Sequence, residues 1–317
     1  MLILEQPALY SSIQDQGRHG LAHLGISPGG ANDSLAAWLA NRIVGNPENA
    51  AVLELIEPPA RLLFVDGAHA VFSGADADIR CNGRQVPLYA RCWIPDGAHV
   101  EIDRPRAGST VYLAVEGGIE TPERLGSRST DPRLGMTPLG RDTFLPTAVR
   151  HLPAYSARLR LPRRFINGFT LGDLYSPVLD VLAGPQFDWL DPDTRRTLVE
   201  RPFTVSSQSS RMGIRLQGDP LHAPDRQCLS AGVCRGAVQL PPQGLPILLA
   251  AEHQTTGGYP LVLQVCAHHL GRMAQLRAGE RIRFHLLGAD EAAARLARWQ
   301  GAFGRTVKGI HAHEALY

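Results

Sequence analysis

Residues 12–25, SIQDQGRHGLAHLG, and residues 204–218, TVSSQSSRMGIRLQG, set one small signature into both halves of the chain. In each, a polar glutamine-containing stretch leads to an arginine, one residue, a glycine and an aliphatic residue: Arg18-His-Gly20-Leu21 and Arg211-Met-Gly213-Ile214. Downstream, PDGAHVEI around Gly97 is echoed by RAGERIRF around Gly279. The matched points lie 79 residues apart in the first half and 68 in the second, so the intervening loops differ. Self-similarity on this scale predicts two copies of one β fold.

The rest of the composition agrees. At 317 residues the chain suits two domains of about 150 residues each. Its 32 glycines and 24 prolines favour turns and short strands over long helices. Short β-like runs follow one another in both halves: RLLFV, HAVFSG, ADIRCNG, HVEID and STVYLAVEGG, then LDVLAG, PFTVSSQ, RMGIRLQG, AVQLP, LPILLAAE, LVLQVCA and RIRFHLL. Each is bounded by Gly, Asp, Asn or Pro, as antiparallel barrels require. A helix is predicted over 33–45, capped by Asn32 or Asp33 and stopped by Gly45, with a short second helix from Asn46-Pro47. A closing helix, ADEAAARLARWQGAF, takes Asp290 as its cap and carries Leu296, Trp299 and Phe303 on one face. Residues 147–170, with five arginines and two prolines, read as a linker, which divides the chain into domains 1–160 and 161–317.

Several function classes drop out. The net charge of +2 is spread along the chain, so no nucleic-acid footprint is expected. No apolar run has the length to span a bilayer and the N-terminus lacks a basic leader, which points to a cytoplasmic protein. Five cysteines without C-x-x-C spacing suggest neither a disulfide framework nor a zinc site. Cys266, His268 and His269, far in sequence from His311 and His313, make no recognised metal motif, and no metal is expected. Lys308 is the sole lysine, which excludes a P-loop and any biotin-carrier lysine with flanking methionines.

The remaining polar strings carry the candidate chemistry. Gly25-Ile-Ser27-Pro28-Gly29 has the spacing of a nucleophile elbow. Yet Pro28 lacks the N–H that would complete an oxyanion hole, so Ser27 reads as part of a turn entering a helix. That helix start favours an anion, with Asp33 either its cap or a ligand-facing carboxylate. Gln14-Asp15-Gln16-Gly17-Arg18 joins an acceptor, a possible base and a guanidinium; Ser127-Arg128-Ser129-Thr130-Asp131 could hydrogen-bond an oxyanion or phosphate. Gln254-Thr255-Thr256-Gly257-Gly258-Tyr259 separates two strand-like runs. Paired glycines there are either a hairpin turn or a place where a ligand nears the backbone.

Taken in order, QDQGRHG, GISPGGAND, LANRIVGNPENAAVLE, SGAD, LAVEGGIETP, LGSRSTD, GPQ, SSQSSRMGIRLQG, GAVQLPPQGLPI and QTTGGYP resemble one family. It is that of the C subunit of 5-oxoprolinase, also called KipA or allophanate hydrolase subunit 2, related to the carboxyltransferase domain of urea carboxylase. The resemblance implies a mainly β fold, a tandem duplication of cyclophilin-like β-barrels with a few peripheral helices. It also implies work with a KipI-like B subunit (allophanate hydrolase subunit 1) and an A subunit in ATP-dependent opening of 5-oxoproline to glutamate. Two other roles follow from it: carboxyl transfer from carboxybiotin on another chain to urea or a similar amide, and sequestration of a KipI-like kinase inhibitor. No cofactor is expected to be covalently bound, and ATP is used by the assembled complex.

All the enzyme roles must hold a planar amide while negative charge grows on its oxygen. On that requirement Asp15, Arg18, Asp33, Arg128 and Arg211 are the expected catalytic residues. Gln14, Ser27, Ser127, Ser129, Gln239, Gln254, Thr255, Thr256, Gly257, Gly258 and Tyr259 are the expected contacts to a small amide or lactam. The segment after Thr130, DPRLGMTPLGRDTFLPT, departs from the family pattern and leaves open what lies against Arg128.

Overall fold

The computed structural model describes residues 1–147, 176–226 and 228–314, with side chains through residue 304. The expected linker and the 160/161 boundary fall almost wholly outside the described residues. Two compact units emerge, each built on β structure. One holds Met1–Arg18, the rest of the first half from Gly29, and the C-terminal end from Gly304; the other holds His19–Pro28 and the second half as far as Phe303.

In the first unit the strands are β1 (Leu2–Gln6), β2 (Tyr10–Gln14), β3 (Val52–Ile56), β4 (Ala60–Phe64), β5 (Ala68–Asp76), β6 (Ile79–Cys81), β7 (Arg84–Gln85), β8 (Cys92–Ile94), β9 (Ala98–Ile102), β10 (Ala107–Val115) and β11 (Thr143–Leu145). They form one sheet in the order β11-β1-β4-β9-β6-β7 and another in the order β2-β3-β10-β5-β8. Alternation places Leu2, Leu4, Leu62, Phe64 and Val100 from the first against Leu53, Leu55, Phe72 and Leu113 from the second, in one dry core.

The other face of the second sheet is covered by helix α1 (Ser34–Val44). Its Ala36, Ala37, Ala40, Ile43 and Val44 pack on Val52, Val71, Tyr112 and Ala114. Strand β3 is therefore buried on both faces, Glu54 included. Asp33 caps α1 through Ala36 N, 3.0 Å away, and Gly45 closes it at φ 92°, both as expected. The second helix expected at Asn46-Pro47 does not form. Asn46 instead turns its amide inward, donating to Val115 O at 2.8 Å and accepting from Gly117 N at 2.8 Å, so it fastens the end of β10.

The second unit contains β12 (Val178–Ala183), α2 (Pro192–Glu200), β13 (Phe203–Val205), β14 (Gly213–Gln217), β15 (Ala231–Gly232), β16 (Ala237–Gln239), β17 (Ile247–Leu249), β18 (Thr256–Gly257), β19 (Leu261–Val265), α3 (Leu270–Ala274), β20 (Arg281–Leu286) and, as far as Phe303, helix α4 (Ala289–Glu314). Seven strands close into a barrel in the order β12-β19-β16-β17-β14-β13-β20, sealed by the parallel pair β12–β20. Leu179, Val181, Phe203, Ile214, Leu216, Val238, Leu248 and Phe284 fill it. Helix α4 begins one residue before Asp290, so Asp290 lies in its first turn and is not the cap; Trp299 stacks on Phe303 with ring centres 5.4 Å apart.

The repeat holds in part. Gly97 and Gly279 both sit at positive φ just before a strand, β9 and β20. After Arg211 the chain runs into strand β14, whereas after Arg18 it leaves sheet structure for a short 3-10 turn over Ala22–Leu24. No helix among the described residues is long and apolar enough to cross a membrane.

Candidate functional site

Asp15 follows β2 and gathers the loop Ser127–Asp131 around itself. Its Oδ1 accepts from Ser127 Oγ and Ser129 Oγ, each at 2.6 Å, and from Gly17 N at 2.7 Å, while Oδ2 accepts from Arg128 N at 2.6 Å. Asp15 N donates to Ser129 Oγ at 3.0 Å. A carboxylate with four donors is fully engaged, so this geometry makes Asp15 the organiser of the loop. Gln14, wholly buried, donates to Ser12 Oγ at 3.0 Å and Thr130 O at 3.4 Å and keeps the neighbouring stretch in place.

Arg18 is 2% exposed and donates to Ser129 O at 2.5 Å and, more weakly, to Arg124 O at 3.3 Å. Its guanidinium borders Gly29, where an added Cβ would lie 3.6 Å from one terminal nitrogen. Arg128 joins the cluster through its backbone alone. Its side chain donates to Thr121 O and stands 4.0 Å from Glu123, more than a third exposed. Thus Gln14, Asp15, Arg18, Ser127 and Ser129 come together, and the Arg128 guanidinium points elsewhere.

Asp33 belongs to a second polar group beneath the N-terminus of α1. Ser12, Glu54, Tyr112 and Ser73 face one another across β2, β3, β10 and β5. Tyr112 donates to Glu54 at 2.8 Å and accepts from Asp33 N at 2.6 Å; Glu54 also accepts from Asn32 N at 2.7 Å. Burial, reinforced by the charges of Glu54 and Asp33, pushes the Tyr112 hydroxyl well above its ordinary pKa, so it is held as a donor. The sequence reading missed Glu54 and Tyr112; a lone carboxylate in the apolar strand VLELI was the available signal.

In the second unit, Arg211 donates to Glu252 Oε1 at 2.6 Å, and Glu252 N returns a bond to Arg211 O at 2.7 Å. Both side chains are almost completely buried. Glu252, another residue the sequence reading missed, is the acid beside QTTGGYP. Ser27 is fully buried and donates to Ala251 O at 3.3 Å.

QTTGGYP is not a hairpin turn. Strand β17 pairs with β14 and β16, whereas β19 pairs with β16 and β12, so the flanking runs never pair with each other. The segment forms instead a two-residue strand, Thr256–Gly257, against Ala231–Gly232. Neither Gly257 nor Gly258 is at positive φ. What Gly257 does is admit Gln239: an added Cβ there would stand 2.4 Å from Gln239 Nε2. Gln254 donates to Gln239 Oε1 at 3.3 Å, which leaves the Gln239 Nε2 donor, on a residue 2% exposed, without a partner among the described residues. Two primary amides therefore lie under a glycine edge, with Thr255 half-buried and Thr256 and Tyr259 exposed beside them. This arrangement can hold the oxygen of a planar amide or carboxylate group.

His268 and His269 do not stand alone. Asp180, on β12, accepts from His268 Nε2 at 3.0 Å, His285 Nδ1 at 2.9 Å and Arg295 at 2.8 Å, and its own N–H donates to His269 Nδ1 at 2.7 Å. Burial would raise the Asp180 pKa, but those four partners outweigh it and hold it down at about 2. Burial lowers that of His269 to about 4, against the pull of Asp180, so this ring is neutral. Cys266 is pushed up to about 11 by burial and by Asp180.

Comparison with known proteins places these features in context. The family model for the carboxyltransferase domain, subdomain A and B, matches residues 24–286. The chain is 34% identical to the C subunit of 5-oxoprolinase from Escherichia coli (strain K12), over 92% of its own length and 93% of that protein. It is 33% identical to the corresponding C subunit from Haemophilus influenzae, over 89% and 90% of the two chains. The crystal structure of the Kluyveromyces lactis urea carboxylase shares the fold, with a TM-score of 0.82 at 23% identity, over 96% of this chain and 29% of that one.

Proposed function

The chain belongs to the carboxyltransferase subdomain A and B family, and from that premise we propose that it is the C subunit of an ATP-dependent 5-oxoprolinase. It acts with a KipI-like B subunit and an A subunit to open the lactam of 5-oxoproline with water, giving glutamate while ATP is hydrolysed. The observation that carries this reading is the end-to-end match to two 5-oxoprolinase C subunits, covering nine-tenths of each chain. By contrast, the chain corresponds to only 16% of a urea amidolyase from Lachancea kluyveri, at 27% identity.

On this reading, the Gln239–Gln254 pair beside Gly257 takes the lactam edge, with Gln239 Nε2 as the donor to its oxygen. Buried and held by its neighbours, it needs no reorganisation as charge develops. Asp15 acts as a positioning residue, fixing Ser127 and Ser129 and, through them, Arg18.

A carboxyltransferase reading, with carboxybiotin delivered by another chain, is the second choice and rests on the family model itself. One experiment separates them. The chain is mixed with its KipI-like and A-subunit partners, and ADP release is followed with 5-oxoproline, with urea, or with neither. Release that requires 5-oxoproline and all chains supports the oxoprolinase. A stable complex that releases no ADP on 5-oxoproline overturns it and favours carboxyl transfer or a regulatory pair.

A further inference from the structure

The described residues contain one group of three metal-ligating side chains, Asp180, His268 and His269, whose ligand atoms all lie within 4.8 Å of one another. Neither the sequence motifs nor the proposed reaction calls for it. Asp180 comes from β12, the two histidines from the turn that follows β19, and His285 from β20, its Nδ1 2.9 Å from the second oxygen of Asp180. Strand pairing brings all three elements together: β12 lies between β19 and β20 in the barrel.

Two further features suit a cation. The Nδ1 of His268, on a ring 7% exposed, has no hydrogen-bond partner among the described residues. The proton now on Nε2 can move to Nδ1, where it displaces no partner, at the cost of the 3.0 Å bond to Asp180, and this frees Nε2 as a ligand. Positive charge already occupies the position, since Arg295 stands 2.8 Å from Asp180 Oδ2. That guanidinium has a second partner, Glu291, at 2.8 Å on the same helix, and stays paired when it leaves Asp180.

We propose that Asp180, His268 and His269 form a Zn2+ site, its fourth position left to an outside ligand beside His285, in which the metal replaces the Arg295 guanidinium. Imidazole and carboxylate are the donors zinc takes in four-coordinate sites, and the expected bond lengths are about 2.0–2.2 Å. Binding also costs the bond from Asp180 N to His269 Nδ1 at 2.7 Å, so the site is one of moderate affinity that loads and unloads. It is separate from the Gln239–Gln254 pair and does not depend on the oxoprolinase reading.

The test uses the full chain, stripped with a chelator and titrated with Zn2+ against a chromophoric competitor, with Co2+ visible absorption as a second readout. One equivalent is expected to bind, and the Co2+ spectrum is expected to show the intense bands of tetrahedral coordination. Asp180→Asn and His268→Gln should weaken binding about tenfold or more. His285→Gln, on a half-exposed ring, keeps the test independent of folding and should weaken it less. Arg295→Gln should tighten it, because the competing cation is gone. Binding below one equivalent, equal affinity in Asp180→Asn, or no tightening in Arg295→Gln would overturn the proposal.

Discussion

The side-chain amide of Gln239 fills the space that any side chain at position 257 would need, 2.4 Å from where its Cβ would stand. Gly258, next along, meets only ordinary contacts, the nearest being Ser230 Oγ at 3.5 Å. The two glycines look alike in sequence and differ in what they tolerate. Gly257→Ala should displace the Gln239 amide, the far end of a flexible side chain, at a cost of about 1 kcal/mol, together with activity of the assembled enzyme. Gly258→Ala should leave thermal stability nearly unchanged. Equal losses in the two variants, measured by thermal unfolding, would contradict the assignment.

Arg211 and Glu252 form a buried pair. Removing one partner strands a charge, so Arg211→Met should destabilise the chain by about 3–5 kcal/mol. The double change Arg211→Met with Glu252→Leu should recover most of that loss. Urea unfolding of the three proteins measures it, and failure of the double variant to recover would mean that the pair contributes through further partners.

Asp15 accepts four hydrogen bonds, three of them from Gly17, Ser127 and Ser129 on one oxygen. Asp15→Asn sets an amide donor against at least one of those donors, at a cost of about 2–4 kcal/mol. Hydrogen exchange should then quicken at the Arg128 amide, which Asp15 otherwise holds. Arg128→Ala should be milder for stability, because its side chain donates only to Thr121 O in this loop.

The Asp180 carboxyl titrates near pH 2 when folded and near its ordinary value of 3.8 when unfolded. Its folded pKa is the lower one, so its contribution is complete above pH 4 and is lost as the pH falls from about 4 to about 2. The shift corresponds to about 2 kcal/mol in the metal-free protein. Asp180→Asn should flatten that part of the stability curve, and an unchanged acid limb would show that another carboxylate carries it.

Much of the fold was legible because strands bounded by turn residues announce themselves. STVYLAVEGG, LVLQVCA and RIRFHLL all became strands, and Asp33 and Gly45 bracket α1 as read. What could not be read was which strands are neighbours. Of the two readings open for Gly257-Gly258, the hairpin drops out for that reason, since β16 stands between β17 and β19. The Asn46 helix failed because a buried side chain found better partners in β10 than the helix could offer. Single site residues were visible, but their partners were not. Glu54, Glu252 and Asp180 are carboxylates in apolar surroundings, and only tertiary pairing shows that Tyr112, Arg211 and the histidines answer them.

The chain leaves and re-enters the first unit at nearly the same point. Gly30, at φ 80°, passes so close to Gln16 that an added Cβ would stand 2.9 Å from its backbone, and Ala31 N closes the neck by donating to Asp15 O at 3.0 Å. Between those points lie His19–Pro28, which belong to the second unit. A single cut in the middle of the chain therefore cannot yield two complete modules. The later half, made alone, lacks a ten-residue piece of itself that was synthesised long before.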